Sequence, residues 1–315
     1  MGKLSKILLL ISVTLLFAGC SSKMTCIEGE RMTIPFRIII GKALSSQEHS
    51  KLEEEVNAVF RLIDTTYNNW NINSEISKIN RAPSGIPIPI SNELVMFLAS
   101  VNQLYSISGG RFDPTMGTLK TVWLLYLKQN LLPPPELLES YRNAITWGNI
   151  SIDFANQTIT KKNSLVQIDL CGTIKGYAVD CILETCKQVS KDNYVEWGGE
   201  IKTSGCHPSG RPWRVASSAT QNILELSDTA IATSGNYYQQ WRVAGKIYTH
   251  IIDPSSGIPL EANEQTISSV SVIDPSCAFA DAMATVLMTF SSPEEAREWA
   301  KKNKILAYIN GTSAS

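Results

Sequence analysis

Charge is scarce in this sequence and almost balanced. Charged residues make up 18% of the 315 residues, and the formal net charge is −1, whereas globular proteins usually carry about 25% charged residues. Lysine and arginine form no stripe along the chain, so no nucleic-acid partner is expected. This composition favours an enzyme with buried strands over a disordered or solvating protein.

The short motifs of the common nucleotide-binding and hydrolytic folds are missing. There is no Walker-type loop, no GxGxxG, no HExxH and no nucleophile elbow, which disfavours the conventional dinucleotide folds. The cysteines other than Cys20 have no CxxC or Cys/His metal spacing; they are Cys26, Cys171, Cys181, Cys186, Cys206 and Cys277. The isolated Cys206-His207 pair is typical of a loop rather than a zinc site, and the redox state stays open.

The N-terminus has the pattern of a signal peptide. Lys3 and Lys6 precede an apolar segment over residues 7–17, which is too short for a membrane span of about 20 residues, and Ala18-Gly19-Cys20 follows. We therefore predict a signal peptide over residues 1–19 and a lipidated Cys20, with plain secretion and an uncleaved anchor as alternatives. Residues 20–31 are predicted to be a polar tether, and residues 32–315 the folded domain.

Hydrophobic periodicity predicts an α+β fold. Helical spacing covers Gln47–Ile63 and Asn92–Tyr105, while the polar segment Asn68–Pro89 is expected to be a loop. Short helices are also predicted at Glu136–Tyr141 and Pro293–Lys302. Short strands are predicted at Ile34–Ile40, Ile150–Phe154, Thr158–Lys161, Val166–Leu170, Tyr194–Trp197, Trp213–Ala216, Ala230–Ala232, Tyr248–Ile252 and Ile305–Ile309. We expect a single α+β domain of two closely packed lobes, with largely antiparallel sheets and flanking helices.

Asp281 is an acidic residue in an otherwise apolar helix. Apolar or small residues surround it over residues 278–288, so the helix is expected to be buried. Asp274 followed by Pro275 predicts the N-cap and the first helical position. A buried carboxylate without a partner costs several kcal/mol, so it requires a cation, an arginine or a proton. Thr285 lies four residues on and shares the same face, and two such oxygen ligands suit Mg²⁺.

Two glycine turns are candidates for phosphate binding. In the first, the predicted strand Val166–Leu170 leads through Gly172 into a helix beginning near Lys175, and the N–H groups of a helix N-terminus attract phosphate. Asp169, at the end of that strand, could bond a ribose or a base, or could merely cap the turn. The second is the polar turn 232–236. Each signal is weak alone, because turn glycines and capping aspartates are common.

Three other residues could belong to a site. His250 is one of three histidines and lies beside an Asp-Pro turn; it is the best general-base candidate, although a core histidine bonded to the backbone is an equal alternative. Trp70 lies in a polar loop without periodicity to bury it, which favours a stacking surface for a planar ring. Phe112 and Asp113 follow a predicted helix end, where ordinary turn chemistry explains them equally well.

Taken together and in order, these segments resemble the FAD:protein FMN transferases, the ApbE-like flavin transferases. The resemblance runs from about Met32 to the C-terminus, and its ordered blocks are Asn73–Ser77, Gly110–Pro114, Asp169–Asp180, Gly198–Glu200, Thr233–Gly235, His250–Gly257 and Ala280–Thr285. It implies a periplasmic, Mg²⁺-dependent lipoprotein that splits FAD at its pyrophosphate. FMN would be joined through a phosphoester to a threonine or serine of an acceptor protein, and AMP would be released.

Carried over residue by residue, the resemblance implies an FAD site in a cleft between the two lobes. Met32 and Trp70 would flank the flavin, and further FAD contacts would be Arg111, Phe112, Asp113, Asp169, Lys175, Ser234, Gly235, His250 and Ile251. The Gly172 carbonyl, Asp281 and Thr285 would bind Mg²⁺, and His250 would deprotonate the acceptor hydroxyl. The sequence departs from the usual family pattern at Thr33, Lys175, Glu200 and Asn236.

Two other functions would use the same residues. A periplasmic FAD pyrophosphatase would use water in place of the acceptor hydroxyl, and a non-catalytic FAD-binding lipoprotein would need no base. By resemblance, the acceptor would be a subunit of a membrane redox complex such as a sodium-translocating NADH:quinone reductase. The lipid anchor would lie in a membrane facing the periplasm, the inner one being favoured over the outer.

Overall fold

The computed structural model describes residues 24–142, 145–217, 219, 222–237 and 239–311. Its strands are β1 Thr25–Arg31, β2 Ile34–Ile40, β3 Ile88–Pro89, β4 Ile150–Asp153, β5 Thr158–Lys161, β6 Asn193–Trp197, β7 Glu200–Ser204, β8 Trp213–Ala216, β9 Ile223–Leu226, β10 Ala230–Gly235, β11 Gln240–Val243, β12 Lys246–Asp253, β13 Ile258–Glu261, β14 Ser269–Asp274 and β15 Leu306–Asn310. Its α-helices are α1 Ser46–Leu62, α2 Glu75–Arg81, α3 Asn92–Ile107, α4 Gly117–Leu127, α5 Pro135–Arg142, α6 Ile174–Lys187, α7 Cys277–Met288 and α8 Pro293–Lys302. The predicted signal peptide and Cys20 lie outside the described residues.

A seven-stranded antiparallel sheet organises the main core. Its strand order is β1-β2-β6-β7-β10-β14-β15. At its two edges, strands that follow each other in sequence are paired, β1 with β2 and β14 with β15, and in its centre β10 pairs with both β7 and β14. Helices α6 and α7 contact each other and this sheet. Apart from Asp281 and Thr285, helix α7 consists of apolar residues, and Ala280, Ala282 and Ala284 are fully buried, as expected of a helix inside the core rather than on its surface.

A smaller cluster packs beside this core. Leu119, Trp123 and Leu127 recur at helical spacing on α4 and are buried with Tyr248 of β12. Strand β12 is the centre of the three-stranded sheet β11-β12-β13. The α+β class with antiparallel sheets is therefore confirmed. Within the described residues, no helix combines the length and the apolar character that crossing a membrane requires.

The predicted tether over residues 20–31 is wrong for its second half. Residues Thr25–Arg31 form β1, which pairs with β2 over its whole length. The connecting turn is Met32-Thr33, with φ of 52° and 62°. Hairpin turns with two positive φ values usually contain Asn or Gly, so the sequence did not signal this hairpin.

The predicted strand Val166–Leu170 is not a strand in the structure. Gln167 makes only an isolated bridge to Met116. The Asn80 side chain instead accepts a hydrogen bond from the Ile168 N–H at 2.7 Å and donates one to the Ile168 carbonyl at 2.9 Å. A side-chain amide thus replaces a partner strand, and it comes from α2, which lies inside the segment predicted to be a loop.

Two turn assignments also change. The N-cap of α7 is Ser276, whose hydroxyl accepts from the Phe279 N–H, whereas Asp274 ends β14. The polar segment ending in Gly235 continues β10 rather than forming a turn. In both places the strand is longer than its apolar residues indicate, because the backbone pairing of β10 with β14 continues through polar residues.

Candidate active site

A cleft of about 320 Å³ opens between the smaller cluster and the main core. One wall comes from α4 and β12, and the other from β10, α7 and the turn before α6. The predicted site residues that line it are Arg111, Phe112, Asp113, Asp169, Gly172, Lys175, Ser234, Gly235, His250, Ile251, Asp281 and Thr285. Met32 and Trp70 are not among the lining residues: Met32 is at a hairpin tip, and the Trp70 side chain is 72% exposed.

Asp281 is buried where the turn before α6 meets α7. Only 3% of the residue is exposed, and its Oδ2 accepts a hydrogen bond from the Gly176 N–H at 3.1 Å. Burial raises the pKa of this carboxyl, while the charge of Lys175 and the Gly176 N–H oppose that rise. The carboxylate therefore has less protein compensation than a fully paired buried acid.

The oxygen groups around Asp281 fit a hard cation. The Thr285 hydroxyl is 3.1 Å from the Ser234 hydroxyl. Gly172 is close to the same threonine, because a Cβ placed on Gly172 would lie 3.6 Å from the Thr285 hydroxyl oxygen. Among the described residues no group of three or more His, Cys, Asp and Glu could hold a metal ion. Mg²⁺ does not require such a group, because it binds one or two protein carboxylates and completes its shell with water and substrate phosphate. The donor set of Asp281, Thr285 and the Gly172 carbonyl fits that pattern.

The position of α7 is fixed by α6. Asp180 of α6 accepts hydrogen bonds from the N–H groups of Cys277 and Ala278, each at 3.0 Å, and pairs with Lys202 at 2.6 Å. A carboxylate at a helix N-terminus satisfies free N–H groups and the helix dipole. The sequence alone did not reveal this role, because Asp180 belongs to a different helix from the N–H groups that it binds.

Lys175 is held by a buried acid on the neighbouring hairpin. Its Nζ lies 2.5 Å from Glu200, whose side chain is 1% exposed. Burial raises the pKa of Glu200 to about 8, Asp281 adds to the rise, and Lys175 opposes it. Gly198 and Gly199 have φ of 66° and 100° in the β6–β7 turn and allow this hairpin to meet α6. The sequence marks the glycine turn but not the pairing of Glu200 with Lys175, because the two residues lie on different elements.

His250 lies on β12 and faces the cleft. Its Nδ1 is buried and makes no hydrogen bond to the described residues. Burial lowers the pKa of the ring to about 4, with further lowering by the charges of Lys120 and Lys175. A histidine with this pKa is neutral at physiological pH and can accept a proton.

Arg111 and Asp113 line the cleft while making structural contacts. Arg111 donates to the Thr289 carbonyl at 3.1 Å, and its guanidinium lies 3.9 Å from the centre of the Phe290 ring. Asp113 accepts from the N–H groups of Thr115 and Trp147. Both side chains therefore stabilise the wall on which they lie.

Asp169 is paired with Lys120, which no motif in the sequence marks as a site residue. Its Oδ2 is 2.8 Å from Nζ of Lys120, and its Oδ1 accepts from the Cys171 N–H at 2.9 Å. Lys120 lies on α4, for which no helix was predicted. The spacing of Leu119, Trp123 and Leu127 is the signal that indicates that helix.

The fold and the cleft define an α+β protein with a polar site suited to a phosphate-bearing ligand. The model of the ApbE family matches residues 31–309, and the chain belongs to that family. A protein of Chlamydia pneumoniae named FAD:protein FMN transferase is 54% identical over 97% of this chain and 98% of its own length. A Chlamydia muridarum protein of the same name is 52% identical over the whole of both chains.

Solved structures agree with the family assignment. The apo form of the flavinyl transferase ApbE from Pseudomonas stutzeri superposes with a TM-score of 0.83 at 28% identity, covering 93% of this chain and 92% of that one. The flavin transferase ApbE from Vibrio cholerae gives 0.79 at 28% identity, over 91% and 93%. The similarity therefore extends over nearly all of both folds.

Proposed function

We propose that this protein performs the reaction named in its relatives: it transfers FMN from FAD to an acceptor protein. It is an enzyme of the FAD:protein FMN transferase type. The observation that carries the proposal is the position of His250, a neutral base in the same cleft as the oxygen donors around Asp281.

The reaction requires one proton transfer and one displacement at phosphorus. We propose that the acceptor is a threonine or serine hydroxyl, whose oxygen attacks the FMN phosphorus of FAD while His250 takes its proton. The P–O bond to the adenylate half breaks, and AMP leaves with the bridging oxygen. Phosphoryl transfer needs little covalent participation from the protein, so positioning and charge stabilisation supply most of the catalysis.

Mg²⁺ is part of the proposal. Asp281, Thr285 and the Gly172 carbonyl would hold it, and it would neutralise pyrophosphate charge in the cleft. The buried carboxylate of Asp281 supports this assignment, because its partners within the described part of the chain are one N–H group and the charge of Lys175.

We also propose a location and a partner. Lipidation at Cys20 would anchor the mature protein to a membrane facing the periplasm, preferably the inner one. The acceptor would then be a subunit of a membrane redox complex, such as a sodium-translocating NADH:quinone reductase. The N-terminal pattern of residues 1–20 supports the anchor.

A mass measurement tests the function. The mature protein is mixed with FAD, Mg²⁺ and an acceptor domain bearing a threonine, and acceptor mass and AMP are measured. We expect a gain of one FMN per acceptor together with AMP. Free FMN and AMP with an unmodified acceptor would instead establish a pyrophosphatase, and bound FAD without turnover would establish a storage protein.

Histidine variants control that experiment. His250→Ala should lose transfer by about a hundredfold or more, the usual range for a general base. His49→Ala is the matched control, because His49 lies on α1, where its ring contacts Glu53. Equal activity of the two variants would remove the base from the proposal.

A further inference from the structure

Lys120 places an ammonium group in the cleft that the transfer mechanism above does not use. It lies on α4, and its side chain is 23% exposed, while the side chain of its partner Asp169 is 8% exposed. Both residues line the cleft together with His250 and Pro114. A half-buried lysine in a polar cleft is a candidate for contact with a bound anion.

The hydrogen bonds of Lys120 leave donors free. Among the residues that the structure describes, Asp169 is its one hydrogen-bond acceptor, at 2.8 Å. An ammonium group has three N–H donors, so two remain for a ligand. Asp169 meanwhile uses both oxygens within the protein, one for Lys120 and one for the Cys171 N–H. The pair is therefore arranged to hold the ammonium in place.

Lys161, Lys175 and Lys202 are engaged differently. Lys202, whose side chain is 14% exposed, pairs with Asp180 at 2.6 Å and is not among the residues that line the cleft. Lys161 is fully buried, and its Nζ donates to the carbonyls of Asn80 and Val166 at 2.7 and 3.2 Å, which makes it a structural residue. Lys175 is paired at 2.5 Å with Glu200 and is also close enough to Asp281 to interact with its charge. Lys120 differs from these lysines because both members of its ion pair, Lys120 and Asp169, line the cleft.

The positive charge of Lys120 also acts on His250, the proposed base. The pKa of His250 is lowered first by burial and then by the positive charges of Lys120 on α4 and Lys175 on α6. Each ammonium group is paired with a carboxylate, Lys120 with Asp169 and Lys175 with Glu200. An anion bound there would therefore be held by the N–H donors that these pairs leave free. A phosphate group is the anion that the proposed reaction brings there.

We propose that the Lys120 ammonium, positioned by Asp169, binds a phosphate oxygen of the dinucleotide substrate beside His250. The proposal rests on the proposed function, because that function supplies the phosphate ligand. Lys120 would be the binding residue, and Asp169 the positioning residue that acts through it. The contact would be separate from the Mg²⁺ donors on α7.

A binding experiment tests this contact without requiring turnover. Affinities for ADP and for adenosine are measured with EDTA present, for the wild type, Lys120→Met, Lys120→Arg and Lys187→Met. Because a hydrogen bond to a charged group contributes about 1.5–3 kcal/mol, Lys120→Met should weaken ADP binding roughly tenfold or more. Adenosine binding should change less than about twofold. Lys187, which pairs with Glu184 at 2.7 Å on an exposed face of α6, is the matched control.

Three results would contradict the proposed contact between Lys120 and a phosphate oxygen. They are unchanged ADP affinity in Lys120→Met, equal loss of ADP and adenosine affinity, or a wild type that binds no ADP without Mg²⁺. Lys120→Met leaves Asp169 buried without its cation, so Lys120→Met/Asp169→Asn is tested as well. This double variant carries no unpaired charge, and recovery of ADP affinity in it would show that Lys120 only neutralises Asp169.

A pH profile supplies a second readout. Removing the positive charge of Lys120 should raise the pKa of His250 from about 4. The acid limb of kcat/KM for transfer should therefore move to higher pH in Lys120→Met and stay in place in Lys187→Met. An unmoved limb would contradict the placement of Lys120 beside His250. Absence of transfer by the wild type would instead reject the proposed function and leave the ADP result standing.

Discussion

Asp281 is the residue whose sequence context and structural context agree best. The sequence marked it as an acid in an apolar helix, and the structure places it 3% exposed at the cleft. Its surroundings were less predictable. The Gly176 N–H, Lys175 and Ser234 come from α6 and β10, and a helical pattern carries no information about groups on other elements.

Removal of the Asp281 carboxylate should remove the response to Mg²⁺. Asp281→Ala is expected to lower kcat/KM by at least about a hundredfold, because metal stabilisation of transferred phosphate contributes several kcal/mol. Initial rates over a Mg²⁺ titration provide the measurement. Asp153→Ala is a suitable control, since that aspartate caps the β4–β5 turn outside the cleft. An Asp281→Ala enzyme with normal Mg²⁺ activation would show that the metal binds elsewhere.

At the scale of elements, helices and strands with strong local patterns were predicted: β2, β5 and β8 have their predicted bounds, whereas α2 and α4 were missed. Helix α3 begins at the predicted residue, and α8 has the predicted bounds, because caps and periodicity are local signals. Strand β1 and the segment around Ile168 were misassigned because neither structure is indicated by the residue pattern of the segment itself. One depends on a hairpin turn without Gly or Asn, and the other on a side chain from α2.

The contact between α6 and α7 should tolerate no added methyl group. A Cβ on Gly176 would overlap the Cys277 carbonyl oxygen, so Gly176→Ala must separate the two helices and displace Asp281 and Thr285. We expect a loss of at least about 1–3 kcal/mol in the free energy of unfolding, together with reduced transfer. Urea denaturation and transfer rates measure the two effects.

Gly148→Ala controls for the loss of a glycine. Among the residues that the structure describes, its added Cβ would meet only the Thr146 side chain, at 3.8 Å, and its φ is not in the left-handed region. Equal stability of the Gly148 and Gly176 variants would mean that the helices can separate without cost, contrary to the close approach in the structure.

At the scale of the whole molecule, the domain begins before the predicted boundary at residue 32. A chain beginning at Met24 keeps β1, whereas one beginning at Met32 loses the edge strand and the buried side chain of Ile27. Burial of an isoleucine contributes about 1.5–3 kcal/mol, so the shorter chain should be less stable by at least about 2 kcal/mol.

The shorter chain should also associate more readily, because β2 would become an exposed sheet edge. Urea denaturation and light scattering compare the two chains. If both unfold at the same urea concentration as monomers, β1 contributes nothing to the fold and the original boundary is adequate.

With the lipid anchor proposed above, strand β1 would also set the distance between the cleft and the membrane. With Cys20 as the proposed anchor, the five residues to Thr25 span at most about 18 Å, and the seven residues of β1 add about 23 Å. The hairpin after β1 ends beside the cleft, since Ile34 packs against Gly198. The cleft would then stay within about 40 Å of the lipid surface. An acceptor whose target hydroxyl is held in that shallow layer would meet the cleft at a high effective concentration, whereas a freely diffusing protein would have to enter the layer before it could be modified.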